Sequence, residues 1–288
     1  MFNFITWTVN PNLIDSFVTV RWYGIAFAIG FWLGYEIVSR MFKHEGAPES
    51  WVGSLFVYVV VGTIVGSRLG HVFFYEWDYY SNHLTDIFKI WEGGLASHGG
   101  AIGIIIAILL YSKLVTHKNP LWTFDRLVIP VALVGGLIRL GNLMNHEIYG
   151  HVTDVSWGFR FVDNLGAWMH GAEPIFTQPS HPTQIYEAIC YFALFGLLMW
   201  MYWKKNAEAY QGLIFGIFLT WLFSARFLIE FVKNNQELFE DNMLFNMGQL
   251  LSLPFIICGI ILIIRAIKRP PEKLSFPNKF AEEKKKKK

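Results

Sequence analysis

The chain has 288 residues, of which 53% are hydrophobic, 17% aromatic and only 16% charged, with a formal net charge of +2. Soluble domains carry roughly 25% charged residues, so this composition excludes a chain that folds mainly in water. We expect membrane lipid as its partner and no nucleic acid. The two cysteines, Cys190 and Cys258, lie in apolar runs and give no support to a disulfide framework.

Seven stretches are long and apolar enough to cross a bilayer, for which about 20 residues suffice. The fourth departs most from a plain apolar span, because Asp125 and Arg126 open it and Arg139 lies within it. The pattern predicts an all-α fold, a polytopic membrane helical bundle of about seven transmembrane helices that forms one domain over residues 1–270. The predicted spans lie near 18–42, 52–75, 98–116, 124–145, 184–203, 212–232 and 244–266.

Lysine and arginine are distributed unevenly among the segments that connect these spans. Seventeen of the 24 fall on the side that holds the C-terminal tail, against four on the opposite side. Because positive residues concentrate in cytoplasmic segments, we expect a periplasmic N-terminus, a cytoplasmic C-terminus and a basic cytoplasmic tail over 271–288. The two long loops, near 76–97 and 146–183, are then periplasmic, and we expect the chemistry at that face of a bacterial inner membrane.

Three arginines lie within the predicted spans, namely Arg68, Arg139 and Arg226. An arginine near the bilayer centre costs on the order of 2.5–3.5 kcal/mol on insertion scales, so it normally faces the protein interior and has a partner. Arg226 precedes Glu230 by four residues, which puts the two on one helix face. The acidic candidates on the same outer half are Glu147, Glu187 and Glu230.

These arginines have two possible explanations, structural ion pairs between helices or recognition of an anion. Arg68 fits the structural one, because it lies in a run with a glycine at every fourth position from Gly62 to Gly70, which allows close helix approach. For Arg139 and Arg226 together we favour recognition, because guanidinium groups bind phosphate bidentately and phosphate head groups are the anions at this depth.

The third span opens with Ser97-His98-Gly99-Gly100. A helix N-terminus offers free N–H groups to an anion, and glycines let a ligand approach the backbone closely. A histidine titrates near neutrality, so His98 is a candidate for proton transfer. A plain interfacial histidine is the alternative.

The densest polar cluster closes the fourth span. Arg139 and Asn142 are three residues apart and face one way on a helix, and Asn145 continues that line. Polar side chains can also hold helices together in lipid, but Arg139, two asparagines and Glu147 within nine residues favour a site. His146 and His151 are five residues apart, whereas a zinc protease helix needs four, so we expect no metal here.

Taken in order, these fragments make the chain resemble the prolipoprotein diacylglyceryl transferases. Three positions depart from the family pattern: Ile138 stands where a glycine is usual, Leu143 where a phenylalanine is usual, and Lys233 where an arginine is often found. The fragments that carry the resemblance are Arg21-Trp22-Tyr23-Gly24, Gly66-Ser67-Arg68-Leu69-Gly70, Ser97-His98-Gly99-Gly100, Arg139-x-Gly141-Asn142-x-x-Asn145-x-Glu147-x-x-Gly150, His181-Pro182-Thr183-Gln184-Ile185-Tyr186-Glu187, Arg226-Phe227-x-x-Glu230-Phe231 and Met247-Gly248-Gln249.

The resemblance implies a seven-span inner-membrane enzyme whose active site opens to the periplasmic leaflet. Such enzymes transfer the diacylglyceryl group of phosphatidylglycerol to the lipobox cysteine of a preprolipoprotein, form a thioether and release glycerol 1-phosphate. No metal or organic cofactor is implied, and the oligomeric state stays open.

The resemblance also implies roles for particular residues. Arg139 and Arg226 bind the phosphate and stabilise its developing charge, and His98 is the candidate base, although another group or solvent could deprotonate the thiol. Asn142 and Tyr23 position the head group, while Glu147 and Glu230 orient the arginines. The expected lipid-binding set is Tyr23, Arg139, Asn142, Asn145, Glu147, Gly150, Arg226 and Glu230.

Other seven-span classes fit less well. A retinal protein needs a Schiff-base lysine in its last span, and 244–264 contains none. A transporter usually shows an internal repeat and broken helices, neither of which is evident. A metal-dependent phospholipid synthase needs clustered aspartates, and Asp125 is the only aspartate in any predicted span.

Overall fold

The computed structural model describes residues 4–16, 19–234, 244–272 and 276. Within these residues, seven helices are long and apolar enough to cross a membrane, which confirms the predicted all-α class and number of spans. They are α1 (Trp22–Glu45), α2 (Glu49–Phe74), α4 (Ser97–Tyr111, continued by a π-helical turn over Ser112–Thr116), α5 (Pro120–Met144), α7 (Thr183–Lys205), α8 (Leu213–Ile229, continued by a 3₁₀ turn over Glu230–Val232) and α9 (Met247–Ile267).

Short elements complete the described chain. Two short helices, α3 (Trp77–Tyr80) and α6 (Leu165–Met169), lie in the long connections, with further 3₁₀ turns at Leu84–Phe88, Ile90–Glu92 and Ala207–Ala209. Four short strands form two two-stranded sheets. In one, β1 (Ile5–Thr6) pairs in parallel with β4 (Phe159–Arg160), and in the other, β2 (Asn12–Asp15) pairs antiparallel with β3 (Thr19–Arg21).

The edges of two predicted spans differ from the structure for local reasons. The first span begins at Trp22 rather than near residue 18, because Thr19–Arg21 pair as a strand and the Trp22 N–H donates to the Pro11 carbonyl. The fourth begins at Pro120, so Arg126 lies inside α5 and not in a connecting segment. Arg126 is buried, and the neighbouring Asp125 accepts hydrogen bonds from the N–H groups of Gly212 and Phe215, which caps α8.

The described residues fall into two compact units, the first within 4–34 and 125–272 and the second within 35–124 together with residue 276. In the second unit α2 packs closely on α4. A Cβ at Gly70 would lie 2.6 Å from the Cα of Gly99, and one at Gly66 would collide with the Gly99 carbonyl. The glycine repeat therefore serves helix contact, as its spacing predicts. Gly99 is part of that contact, which by itself accounts for a glycine at this position.

The connection after α2 is fixed by one side chain. Arg68 is only 4% exposed, and its guanidinium donates to the carbonyls of Asp86, Ile87, Gly93 and Gly94 at 2.6–3.3 Å. It also lies 5.0 Å from the ring centroid of Tyr80. This side chain therefore ties α2 to the turns that follow it, which agrees with the structural explanation of Arg68.

The first unit contains the connection over 146–183, which has an ordered backbone of its own. Phe159 and Ser180 exchange N–H···O bonds of 2.9 and 2.8 Å. Leu143, Phe159 and Phe161 form a small core, against which Trp7 and Tyr149 pack. This core holds the connection onto the end of α5.

Candidate active site

A tight turn after α5 gathers the polar residues that close this helix. His146 and Ile148 both adopt positive φ, at 56° and 61°, and the Glu147 N–H donates to the Asn142 carbonyl at 3.1 Å. The chain thereby folds back over the helix end. As a result, Glu147 Oε1 accepts hydrogen bonds from Asn142 Nδ2 at 2.8 Å and from Asn145 Nδ2 at 3.1 Å.

The strained turn is held by His146, which is buried. Its Nδ1 accepts the Val162 N–H at 3.0 Å, so its Nε2 carries the proton and donates to the Val9 carbonyl at 2.9 Å. Burial lowers the pKa of His146, which favours this neutral form. Both ring nitrogens are thus used to fix the backbone around Glu147.

The start of α7 supports the same turn from the other side. Gln184 Nε2 donates to the Glu147 carbonyl at 2.6 Å, and the Thr183 hydroxyl donates to the Ile148 carbonyl at 2.8 Å. Both side chains are buried. The orientation of Glu147 is therefore set by two helices that are distant in sequence.

Arg139 lies one turn earlier on α5 and joins this network. Its Nε is 2.6 Å from Glu187 Oε2, and its Nη1 donates to Asn142 Oδ1 at 3.2 Å. Glu187 is buried on α7, whereas the Arg139 side chain keeps 19% of its surface exposed. A chain of contacts therefore runs from Glu187 through Arg139 and Asn142 to Glu147.

Tyr23 and Gly150 border this network. The Tyr23 ring packs over Gly141, where a Cβ would lie 2.8 Å from the ring, and the charges of Glu147 and Arg139 both act on its phenol. Gly150 donates its N–H to the His181 carbonyl at 2.8 Å. A side chain at 150 would collide with the Val232 carbonyl, so the backbone here requires glycine.

Arg226 and Glu230 stand at the end of α8, but they do not pair. Among the described residues, the half-buried Arg226 side chain makes no ion pair or hydrogen bond. The Glu230 carboxylate instead lies 3.9 Å from Lys233 Nζ and packs against Gly248. Tyr191 is buried on α7 and is acted on by the charges of both Arg139 and Arg226. The two arginines therefore share one electrostatic neighbourhood.

Eight of the nine residues expected in the site lie in the first unit, and five of these form the connected cluster of Tyr23, Arg139, Asn142, Asn145 and Glu147. His98 lies in the second unit, exposed at the second residue of α4, and its proposed role stays a prediction. Sequence reasoning gave no role to Gln184 and Tyr191, named Glu187 only as one of three acidic candidates, and noted Lys233 only as a departure from the family pattern. The resemblance fragments already contained Gln184 and Glu187, while Tyr191 gave no such signal.

Comparison with known proteins gives the same relationship along nearly the whole chain. A family model described as prolipoprotein diacylglyceryl transferase matches residues 11–265. A phosphatidylglycerol–prolipoprotein diacylglyceryl transferase of Porphyromonas gingivalis is 52% identical over 280 residues, which cover 94% of this chain and 98% of that protein. Proteins of the same name from Chloroherpeton thalassium and Tolumonas auensis are 44% and 46% identical, covering 93% and 91% of this chain and 96% and 97% of their own length.

Proposed function

The chain belongs to the prolipoprotein diacylglyceryl transferase family, and from this premise we propose that the cluster around Arg139 and Arg226 is its active site. The chain is an enzyme that transfers the diacylglyceryl group of phosphatidylglycerol to the lipobox cysteine of preprolipoproteins. A carbon–sulfur bond forms as the bond between glycerol carbon and phosphate oxygen breaks. The thiol proton balances the charge of the released glycerol 1-phosphate.

The observation that carries the site proposal is the contrast between the two arginines. Arg139 is held at its Nε by Glu187 and at its Nη1 by Asn142, so its guanidinium is oriented in advance. Arg226 has no ion pair among the described residues, although it is half-buried. A phosphodiester anion would supply the missing partner, and an arginine already in position stabilises the charge of a leaving phosphate without reorganisation.

The surrounding residues have supporting roles in this proposal. Asn142 and Tyr23 position the glycerol head group, and Glu147 fixes Asn142 and Asn145 through its Oε1. Gly150 lets the backbone pass close to the end of α8, and Glu230 acts on Arg139 through its charge. His98 acts as the base that takes the thiol proton. Its exposure at the N-terminal end of α4 supports this role, because the imidazole is accessible there.

The seven spans make the chain a multi-pass membrane protein. We propose that it lies in the bacterial inner membrane with its N-terminus and active site on the periplasmic side. The distribution of lysine and arginine supports this orientation. Reporter fusions after Lys204 and after Lys268 should report cytoplasm, and a fusion at Gly171 should report periplasm. A periplasmic signal after Lys268 would contradict the orientation.

The transfer itself can be tested with three purified components. The protein is mixed with phosphatidylglycerol and a lipobox peptide, and the mass of the peptide is measured. We expect a gain of one diacylglyceryl group and release of glycerol 1-phosphate, and no gain on a peptide whose cysteine is replaced by serine. An unmodified cysteine peptide, together with uptake of labelled lipid or peptide into proteoliposomes, would instead indicate a transporter.

A further inference from the structure

Lys233 is a buried cation that the site assignment does not use. It follows the 3₁₀ turn at the end of α8, and its side chain is only 4% exposed. Its Nζ lies 3.7 Å from Glu187 Oε1 and 3.9 Å from Glu230 Oε2. The Lys233 ammonium thus lies between two carboxylates, one on α7 and one in the turn after α8.

The backbone fixes Lys233 at this place. Lys233 forms an isolated β-bridge with Gly150, and the His151 N–H donates to the Val232 carbonyl at 2.9 Å. The Asn234 side chain donates to the Gly150 carbonyl at 3.1 Å. The segment after α8 is therefore attached to the turn that carries Glu147, and the lysine side chain enters the cluster from a rigid base.

The position of Lys233 explains why Arg226 does not pair with Glu230 or with another of the described carboxylates. Arg226 and Glu230 are four residues apart, the spacing at which opposite charges on a helix normally attract. Here the helical turn between them is complete, since the Glu230 N–H donates to the Arg226 carbonyl, but the Glu230 carboxylate lies next to Lys233 instead. Glu187 is likewise shared between Arg139 and Lys233. Neither Glu187 nor Glu230 therefore pairs with an arginine alone.

The formal charges of the cluster also indicate that Lys233 favours the binding of an anion. The cluster contains three cations (Arg139, Arg226 and Lys233) and three carboxylates (Glu147, Glu187 and Glu230). With Lys233 the cluster is formally neutral. Without this lysine it would carry one net negative charge, and it would repel a phosphodiester in a region where charges are poorly screened.

We propose that Lys233 is a positioning residue for lipid recognition: by pairing with Glu230 and in part with Glu187, it leaves Arg226 and the exposed part of the Arg139 side chain available to the phosphodiester of the lipid. The proposal rests on the function proposed above. It predicts that replacing Lys233 weakens the binding of anionic lipid and leaves the binding of peptide unchanged.

The test compares Lys233→Met, Lys233→Arg and the double variant Lys233→Met/Glu230→Gln with the unchanged protein, all purified and folded. Phosphatidylglycerol affinity is measured by native mass spectrometry, which needs no turnover, and KM is measured for lipid and for peptide. We expect Lys233→Met to raise the lipid Kd and lipid KM about tenfold or more and to leave the peptide KM unchanged, since a lost charge contact in a partly buried site costs at least this much. Lys233→Arg should keep most of the affinity.

The double variant separates positioning from simple packing. Removing the Glu230 charge frees Arg226 again, so most of the lipid affinity should return. Lys205→Met, at the exposed end of α7, serves as the control and should change nothing. If Lys233→Met keeps its lipid Kd and lipid KM and loses only melting temperature, or if the double variant stays as weak as the single one, Lys233 is merely structural. Failure of the unchanged protein to modify the peptide would instead reject the proposed function, whatever the lipid affinities are.

Discussion

Two arginines within the spans of this chain have opposite surroundings. Arg68, in the second unit, gives its N–H groups to four backbone carbonyls and packs against Tyr80. Arg139, in the first unit, has side chains as its partners, namely Glu187, Asn142 and Tyr191, and keeps 19% of its own side chain exposed. A guanidinium saturated by the backbone fixes a fold, whereas a partly exposed one that side chains orient can still bind a ligand. Burial alone does not distinguish these two uses of arginine.

The largest effect is expected from removing the arginine of the first unit. Arg139→Ala should lower the transfer rate by roughly 10²–10³-fold, the usual worth of a preorganised donor that stabilises the charge developing on a leaving group. Arg139→Lys keeps the charge but loses the planar fork, so it should also lose most activity. The rate per folded molecule and the amount of protein in the membrane are measured together. A fully active Arg139→Lys would favour a structural ion pair.

A similarly large effect is expected from His98, the one proposed site residue that lies in the second unit. His98→Gln keeps a polar group of similar reach but cannot take up a proton near neutrality. If His98 is the base, transfer should slow by roughly 10²–10⁴-fold while phosphatidylglycerol still binds, and a higher pH should restore part of the rate. Near-normal transfer at neutral pH would reject the assignment. A loss of lipid binding equal to the loss of rate would make His98 a ligand of the head group.

Arg68→Ala should act on stability and not on chemistry. Four carbonyls would lose their donor, and a buried polar group without a partner costs about 1–3 kcal/mol. We expect a lower melting temperature and less protein in the membrane, but an almost unchanged rate per folded molecule. The comparison with Arg139 would break if Arg68→Ala folded normally and failed to transfer.

The smallest effect concerns the turn that carries Glu147. The pKa of His146 is lowered by burial, so the unfolded chain takes up this proton more readily than the folded protein does. Stability from this group is therefore fully present above its ordinary pKa of 6.5 and is lost as the pH falls below that value. The melting temperature should decrease from pH 7 to pH 5, and it should decrease less in His146→Gln. Equal decreases would show that His146 does not carry this dependence.

The sequence predicted those features that depend on local spacing. Span number follows from apolar length, and the contact of Arg139 with Asn142 follows from helical periodicity. The same spacing rule did not give an ion pair between Arg226 and Glu230, because Lys233, three residues after Glu230, lies next to the Glu230 carboxylate. The pair of Arg139 and Glu187 joins residues 48 positions apart, and no local pattern specifies which of three carboxylates an arginine selects.

The backbone pairings within the connection over 146–183 could not be predicted from local sequence patterns either. It rests on pairings such as that of Phe159 with Ser180 and of β1 with β4, which join short segments far apart in the chain. Each segment is too short to show a strand period by itself. The sequence therefore predicted a loop where the structure has a folded support for Glu147.

The most direct test of the account is a single assay of two matched variants, Arg139→Lys and Arg68→Lys. Both keep the positive charge and lose the guanidinium fork. Transfer of diacylglyceryl from phosphatidylglycerol to a lipobox peptide is measured per folded molecule, alongside the melting temperature of each protein. We predict that Arg139→Lys melts like the unchanged protein and transfers at most about a hundredth as fast, whereas Arg68→Lys melts earlier and transfers normally. The reverse pattern, with activity lost at Arg68 and kept at Arg139, would contradict the assignment of the active site.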